Sequence, residues 1–216
     1  GIPAPLHPAL AGHFPEATWI LLPHEMGVIA ASAVDVLVKN IDRATAILIG
    51  PGIGLEDTTQ EFMEKLLGSK FTPRNNSKRI GFIKENGIPD GSGGGKAFPP
   101  MVIDADGLKL LARIDHWHKL LPASTILTPH PGEMSILTGQ SLNDIQADRL
   151  EIAKKFAMEW DHVIVLKGAF TVIAASDGRT TTIPFATPAL SHAGTGDVLS
   201  GLIRGLRAQG VGAYES

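Results

Sequence analysis

The segment 191–201 has the residue types that phosphate chemistry requires. Two glycines flank Thr195 and are followed by Asp197, and apolar residues then recur at helical spacing, which predicts a helix from about Thr195. The first amides of a helix have no intrahelical partner, and with the helix dipole they form an anion site that Gly194 and Gly196 leave open to a phosphate. Asp197 could accept the proton of a substrate hydroxyl there. The alternative is a glycine-rich turn in which Asp197 is an ordinary first-turn acid.

Four short apolar runs, each followed by glycines or polar residues, predict four buried strands. The runs are 46–49, 101–103, 124–127 and 163–166, and the motifs that follow them are 50–54, 104–106, 128–133 and 167–168. Strands that alternate with helices imply a mainly parallel sheet with helices on both faces. Ligands bind such sheets beyond the carboxyl ends of the strands, so we expect these motifs to form one site.

Other elements follow from periodicity and turn residues. The predicted helices cover about 29–40, 57–67 and 143–160, with another from Leu108 to Ile114. Residues 1–16 contain four prolines and are predicted to be irregular, and 18–22 is predicted to be a strand. The pair Asp177-Gly178 predicts a hairpin between 171–175 and 180–183.

Composition limits the class of protein. The chain has 216 residues, of which 44% are hydrophobic and 19% charged, so we expect a single globular domain over 1–216, with 69–98 as a mobile insertion. The net charge of −3 provides no basic patch, which argues against nucleic acid as a partner. No apolar run reaches the roughly 20 residues that cross a bilayer, so no membrane partner is expected. The absence of cysteine favours the cytoplasm.

Several residues at the predicted strand ends have both a functional and a structural interpretation. Lys167 ends an apolar strand, and a buried ammonium needs an anionic partner. His130 lies between two prolines, which suits a rigid ligand contact better than a core position. Glu133 is also compatible with a first-turn helix acid, and Asp104 and Asp106 are compatible with helix caps. A lysine, glycine amides and an aspartate near phosphates are what in-line phosphoryl transfer needs, although no Walker motif is present.

Five motifs in this order resemble one known family. They are Gly50-Pro51-Gly52-Ile53-Gly54, Val102-Ile103-Asp104-Ala105-Asp106, Leu127-Thr128-Pro129-His130-Pro131-Gly132-Glu133-Met134, Leu166-Lys167-Gly168-Ala169-Phe170-Thr171 and Gly194-Thr195-Gly196-Asp197-Val198-Leu199-Ser200-Gly201. The family is the ADP/ATP-dependent NAD(P)H-hydrate dehydratases of the ribokinase-like superfamily, and the resemblance covers about 45–210. It implies a three-layer α/β/α sandwich with a mainly parallel central sheet.

The resemblance also implies an activity and a set of site residues. The (S)-hydrate of NADH or NADPH is returned to NAD(P)H, ADP or ATP is consumed as co-substrate, and Mg²⁺ is the cofactor. Asp197 is the implied catalytic base and contacts the substrate with Gly54 and His130, and Glu133 is the implied Mg²⁺ ligand. The implied nucleotide-binding residues are Lys167, Gly168, Ala169, Phe170, Thr171, Gly194, Thr195 and Gly196. A homo-oligomer, specifically a tetramer, is implied as well.

The chain also departs from the family pattern. The Gly-rich strand and Ala-rich helix that usually open the family's sequence are not found, residues 1–44 match loosely, and the closing helices expected after Gly210 are absent. Two other functions therefore stay open. One is a kinase of the same fold that phosphorylates a vitamin precursor of the hydroxymethylpyrimidine, thiazole or pyridoxal type, and the other is a non-catalytic nucleotide-binding module.

Overall fold

A computed structural model describes residues 1–69, 98–188 and 192–216. The insertion predicted for 69–98 lies outside the described residues, apart from its two end positions. The strands are β1 Ile2–Pro3, β2 Leu21–Leu22, β3 His24–Glu25, β4 Val28–Ile29, β5 Ile47–Ile49, β6 Met101–Ile103, β7 Ile126–Leu127, β8 Val163–Leu166, β9 Val172–Ala174 and β10 Thr180–Thr182. The α-helices are α1 His7–Ala11, α2 Ala33–Asn40, α3 Asp57–Leu67, α4 Asp106–Leu111, α5 Pro131–Thr138, α6 Leu142–Ala147, α7 Arg149–Trp160 and α8 Thr195–Ala208.

A six-stranded sheet in the order β5-β6-β7-β8-β9-β10 forms the centre of the fold. Strands β5 to β8 are parallel, and the hairpin β9–β10 continues the sheet in antiparallel fashion. Ile49 pairs with Ile103, Ile103 with Leu127, and Leu127 with Ile164. This register brings the carboxyl ends of the four parallel strands to one edge of the sheet, which confirms the prediction that the motifs after them are neighbours.

The sheet is covered on both faces because its inner strands are apolar at every position. Met101, Val102 and Ile103 are all fully buried. The side chains of Met101 and Ile103 pack in the larger core with α2 to α7, whereas Val102 packs on the opposite face with Ile203 of α8. Side chains alternate between the two faces of a strand, so an uninterrupted apolar run requires a helical layer on each side. The α/β/α arrangement is therefore confirmed.

The helix predicted over 143–160 is in fact two helices. Asp148 adopts a non-helical backbone conformation (φ −144°, ψ 69°) between α6 and α7, and its side chain accepts the Glu151 N–H at 3.2 Å. Ser141 caps α6 in the same way through the Asp144 N–H. The prediction was wrong because the break is a single residue, which leaves the apolar spacing almost unchanged while a new N-cap begins.

The N-terminal region also differs from its prediction. Within the stretch predicted to be irregular, Pro8 lies in the first turn of α1, where a proline is tolerated. The strand predicted over 18–22 is limited to β2. The helix predicted from about 29 begins at Ala33, because β3 and β4 form a hairpin. The turn of this hairpin consists of Met26 (φ 49°) and Gly27 (φ 91°), both in the left-handed region. Methionine is not a residue type that predicts such a turn.

Within the described residues, none of the helices has the length and hydrophobicity that crossing a bilayer requires.

A buried histidine makes the stability of the fold sensitive to pH. His162 is 2% exposed, its ring stacks on Trp117, and its Nε2 lies 2.9 Å from the His118 carbonyl oxygen, to which it donates. Burial lowers the pKa of His162, so the unfolded chain binds a proton more readily than the native protein.

We therefore expect the free energy of unfolding to decrease as the pH falls below the unfolded histidine pKa of about 6.5, by up to about 1.4 kcal/mol per pH unit for this group. Urea unfolding between about pH 7 and pH 5.5 measures this slope. His162→Gln should make it shallower, whereas replacement of the exposed His24 should not. An equal slope in the His162 variant and the parent would contradict the assignment.

Candidate nucleotide-binding active site

The first turn of α8 is built as predicted. Gly194 precedes the helix with φ 90°, and Thr195 is the first helical residue. The Thr195 hydroxyl donates to the His192 carbonyl at 2.7 Å, which fixes the turn before the helix. Gly196 and Asp197 follow as the second and third residues, so their N–H groups have no carbonyl partner within the helix. The Asp197 side chain is exposed at this end of the helix.

Lys167 is the centre of a buried ionic cluster at the end of β8. Its Nζ lies 2.6 Å from Asp104 Oδ1 and 3.8 Å from Glu133 Oε2. The side chains of Asp104 and Glu133 are only 1% and 4% exposed, and that of Lys167 is 19% exposed. The prediction that the lysine needs an anionic partner is confirmed, and it has two. Two carboxylates against one ammonium leave this cluster with a formal charge of −1.

Asp104 is the functional candidate that sequence reasoning left out of the site. Asp104 does not cap α4, whose N-cap residue is Ala105; its Oδ1 accepts the Ala105 N–H at 2.8 Å and also binds Lys167. Its buried Oδ2 accepts no hydrogen bond from the described residues. A Cβ placed on Gly196 would lie 3.9 Å from this oxygen and 3.5 Å from Lys167 Nζ. The start of α8 therefore lies next to the ionic cluster. The sequence could have pointed to Asp104 through its position, because this aspartate directly follows a buried strand.

A cavity of about 780 Å³ opens beside this junction, a volume typical of small-molecule sites. Six of the eight predicted nucleotide-binding residues line it, namely Lys167, Gly168, Ala169, Thr171, Thr195 and Gly196. Gly194 and Phe170 are not among the lining residues; the Phe170 side chain is exposed, and its N–H donates to the Phe185 carbonyl at 3.0 Å. Apolar side chains, including Phe185, Val198 and Leu202, form much of the remaining wall.

His130 and Glu133 form the N-terminal cap of α5. His130 Nδ1 accepts the N–H groups of Gly132 and Glu133 at 3.0 and 3.2 Å, and Glu133 Oε2 accepts the His130 N–H at 2.8 Å. The opposite ring nitrogen, Nε2, lies 3.4 Å from Glu133 Oε1. The structural interpretation of Glu133 as a first-turn acid is thus confirmed. The cap also fixes the orientation of the His130 ring, which is 53% exposed and accessible from solvent.

Among the glycines after β5, Gly50 is required by a close backbone approach, and Gly54 is favoured by its positive φ. Gly50 has φ 129°, and a Cβ there would collide with the Asp104 carbonyl oxygen. Gly54 has φ 83°, its N–H donates to Asp106 Oδ2 at 3.3 Å, and a Cβ would collide with the carboxylate of Glu56. The motif at 50–54 is therefore joined to the end of β6. The predicted contact of Gly54 with substrate stays a prediction.

Asp104 and Glu133 are the two buried carboxylates at this edge that could contribute to a metal site. In the part of the chain that the structure describes, no group of three or more histidine, aspartate or glutamate side chains is arranged around a common metal position. A cation here would need ligands from a bound phosphate or from water in addition to Asp104 and Glu133, which is the usual situation for Mg²⁺.

The comparisons with known proteins agree with this architecture. A ribokinase-like superfamily protein from Enterococcus faecalis superimposes with a TM-score of 0.66 over 94% of this chain and 58% of that protein, at 23% identity. The fold is thus that of a ribokinase-like α/β protein. The sequence model of the NAD(P)H-hydrate dehydratase family matches residues 96–216, more than half of the chain. The chain belongs to the NAD(P)H-hydrate dehydratase family, as the motifs predicted.

Two similar proteins show how much of a relative's length this chain covers. The bifunctional NAD(P)H-hydrate repair enzyme of Salinibacter ruber is 36% identical over 212 residues, which are 97% of this chain and 34% of that protein. The ADP/ATP-dependent NAD(P)H-hydrate dehydratase of Bacillus subtilis, crystallised with ATP and Mg²⁺, superimposes with a TM-score of 0.62 at 28% identity, over 95% of this chain and 61% of that one. The chain thus spans about a third of the first relative and about three fifths of the second.

Proposed function

We propose that this chain carries out the nucleotide-dependent dehydration of (S)-NAD(P)H hydrate to NAD(P)H. The observation that supports this function best is the position of the α8 N-terminus against the Lys167–Asp104 pair, at the mouth of the apolar-walled cavity. Helix amides and an ammonium together suit the phosphates of a nucleotide, and the apolar wall suits its base. Membership of the hydrate dehydratase family supports the choice of substrate.

In the proposed reaction Asp197 is the general base. It removes the proton from the hydrate hydroxyl while the hydroxyl oxygen attacks the terminal phosphorus of ADP or ATP, and AMP or ADP leaves. The N–H groups of Gly194 and Gly196 stabilise the negative charge that develops on the transferred phosphoryl group, while that of Thr195 donates to the His192 carbonyl at 3.3 Å and fixes the turn that presents them. The phosphate then leaves the adduct with the electrons of its C–O bond, and the neighbouring ring carbon loses a proton to solvent, so that the ring double bond re-forms and dihydronicotinamide is restored.

The remaining predicted residues have binding roles in this proposal. Lys167, Gly168, Ala169, Phe170 and Thr171 hold the nucleotide, and Gly54 and His130 face the hydrate.

Mg²⁺ fits the carboxylates at this site. The buried Asp104 Oδ2 accepts no hydrogen bond from the described residues, and hard carboxylate oxygens are the ligands Mg²⁺ prefers. Asp104 and Glu133 would hold the ion, which, when bound, supplies neutralisation of the phosphate charge. Lys167 contacts both carboxylates and thereby holds them on the same side of the cluster.

One assay tests the proposal against the kinase and the binding module. The purified chain is mixed with prepared NADH hydrate, Mg²⁺ and either ADP or ATP, and the absorbance of reduced nicotinamide is followed. We expect recovery of NADH that requires the nucleotide. Phosphorylation of a pyrimidine, thiazole or pyridoxal alcohol without NADH recovery would contradict the dehydratase, and so would nucleotide binding with no turnover of any of these compounds.

Assembly and location are further parts of this proposal. We expect a cytoplasmic homo-oligomer, a tetramer by resemblance to the family, without nucleic acid or membrane partners. Light scattering on the eluting protein would measure the oligomeric state directly, and a monomer would contradict it.

A further inference from the structure

Arg149 binds three backbone carbonyls at the end of β8 and in the loop that follows it. Its Nη2 donates to the carbonyl oxygens of Leu166 and Lys167 at 2.8 and 3.0 Å, and its Nη1 donates to that of Ala169. Two of these acceptors, Lys167 and Ala169, belong to the stretch 167–171 that is predicted to hold the nucleotide. One half-buried guanidinium therefore determines which way three carbonyls within four residues point.

The position of Arg149 is electrostatically unfavourable for an arginine. It is the first residue of α7, where the positive end of the helix dipole disfavours a cation. The side chain also leaves its Nε buried without an acceptor among the described residues. These costs are offset by the hydrogen bonds that the planar guanidinium donates to several carbonyls at once. Lysine has one charged nitrogen and could not bind separate carbonyls with the same geometry.

The orientation of the carbonyls fixes the orientation of the amides. The peptide bonds of the described residues are trans, so each N–H points opposite to the carbonyl of the same peptide unit. The N–H of Lys167 donates to the Pro129 carbonyl oxygen, and that of Phe170 donates to the Phe185 carbonyl oxygen. The remaining N–H, that of Gly168, has no acceptor among the described residues, and Gly168 lines the cavity.

We propose that Arg149 is a positioning residue that turns the Gly168 N–H toward the nucleotide phosphates. The inference rests on the proposed function, since it concerns how residues 167–171, here called the nucleotide loop, bind the nucleotide. Gly168 has φ 142°, and a Cβ there would lie 3.0 Å from Arg149 Nη2. The loop conformation therefore depends on the glycine and the arginine together. The guanidinium also neutralises three carbonyl dipoles that would otherwise be free to repel a phosphate.

The test compares two half-buried arginines. Arg207, near the end of α8, also donates to a loop carbonyl, that of Val211, and also has a buried Nε without an acceptor among the described residues. Residue 207 is about 18 Å along the helix axis from Thr195. Arg149→Met should raise the Kd for ADP or ATP, measured by calorimetry, by about 10- to 100-fold, and Arg149→Lys by less. Arg207→Met should lower the Tm and leave the Kd within about twofold.

Kinetics separate positioning from loss of structure. We expect the KM for the nucleotide to rise with the Kd in both Arg149 variants, while the KM for the hydrate stays near its parental value. If Arg149→Met does not fold, Arg149→Lys decides the question through the same constants. Nucleotide affinity that is unchanged in a folded Arg149 variant would overturn the positioning role alone. A parent chain that binds neither nucleotide would overturn the proposed function, and this inference with it.

Discussion

Asp197→Asn is expected to reduce kcat by about 10³-fold while the affinity for nucleotide stays close to that of the parent chain. A positioned general base contributes roughly 10²- to 10⁴-fold to a rate, and asparagine keeps the shape of aspartate but cannot take a proton at neutral pH. The amides at the start of α8 remain in place in this variant, so the anion site is preserved. Single-turnover recovery of NADH measures the rate, and calorimetry with ADP or ATP measures the affinity.

The matched control is Glu151→Gln. Glu151 is the third residue of α7, as Asp197 is the third residue of α8, and it is also exposed. Both substitutions remove one negative charge from the first turn of a helix, which costs about 0.3–1 kcal/mol of stability. Only the Asp197 variant should lose turnover. Activity retained in Asp197→Asn would remove Asp197 from its role as base and leave the anion site unaffected.

Lys167→Met is expected to lower the free energy of unfolding by about 3 kcal/mol and to weaken nucleotide binding. The change leaves Asp104 and Glu133 without their shared cation, although both carboxylates are almost completely buried. Removal of one partner of a buried ion pair costs more than the pair itself contributes, because an uncompensated charge stays in the interior. Urea unfolding at neutral pH measures the loss.

The control for this prediction is Lys65→Met, which breaks an exposed pair. Lys65 Nζ lies 3.0 Å from Asp35 Oδ2, and the two side chains are 44% and 64% exposed. Water screens this pair, so its loss should cost at most about 1 kcal/mol. Adding Asp104→Asn to Lys167→Met should recover part of the lost stability, since it removes one of the two unpaired charges. Equal losses for the two lysine variants would contradict the buried cluster.

Much of the fold could be predicted because apolar spacing and turn residues are local properties. Strand β6, strand β8 and helix α3 begin and end at the predicted residues. The convergence of the strand-end motifs also followed from sequence, because parallel strands must present their carboxyl ends at a common edge. The break at Asp148 and the Met26–Gly27 turn could not be predicted in this way. Each depends on a backbone conformation that the residue type does not require.

The candidate site also has features that the sequence predicted and features that required the structure. Sequence alone identified Lys167, the glycines before Asp197 and the need of the lysine for an anion, because these follow from the chemistry of each residue. It could not show that Asp104 and Glu133 share that lysine, since the three residues come from different strand ends. The task of Arg149 was equally hidden, because its acceptors lie 17 to 20 residues away along the chain.

The sequence by itself determined the order of strands and helices, the family and the chemical character of the strand ends. Only the tertiary structure decided which charges neutralise one another, which ring caps a helix, and which arginine orients the nucleotide loop. The physical reason is that hydrophobic periodicity is repeated many times along the chain, whereas an ion pair or a hydrogen bond depends on a few ångströms between residues that are distant in sequence.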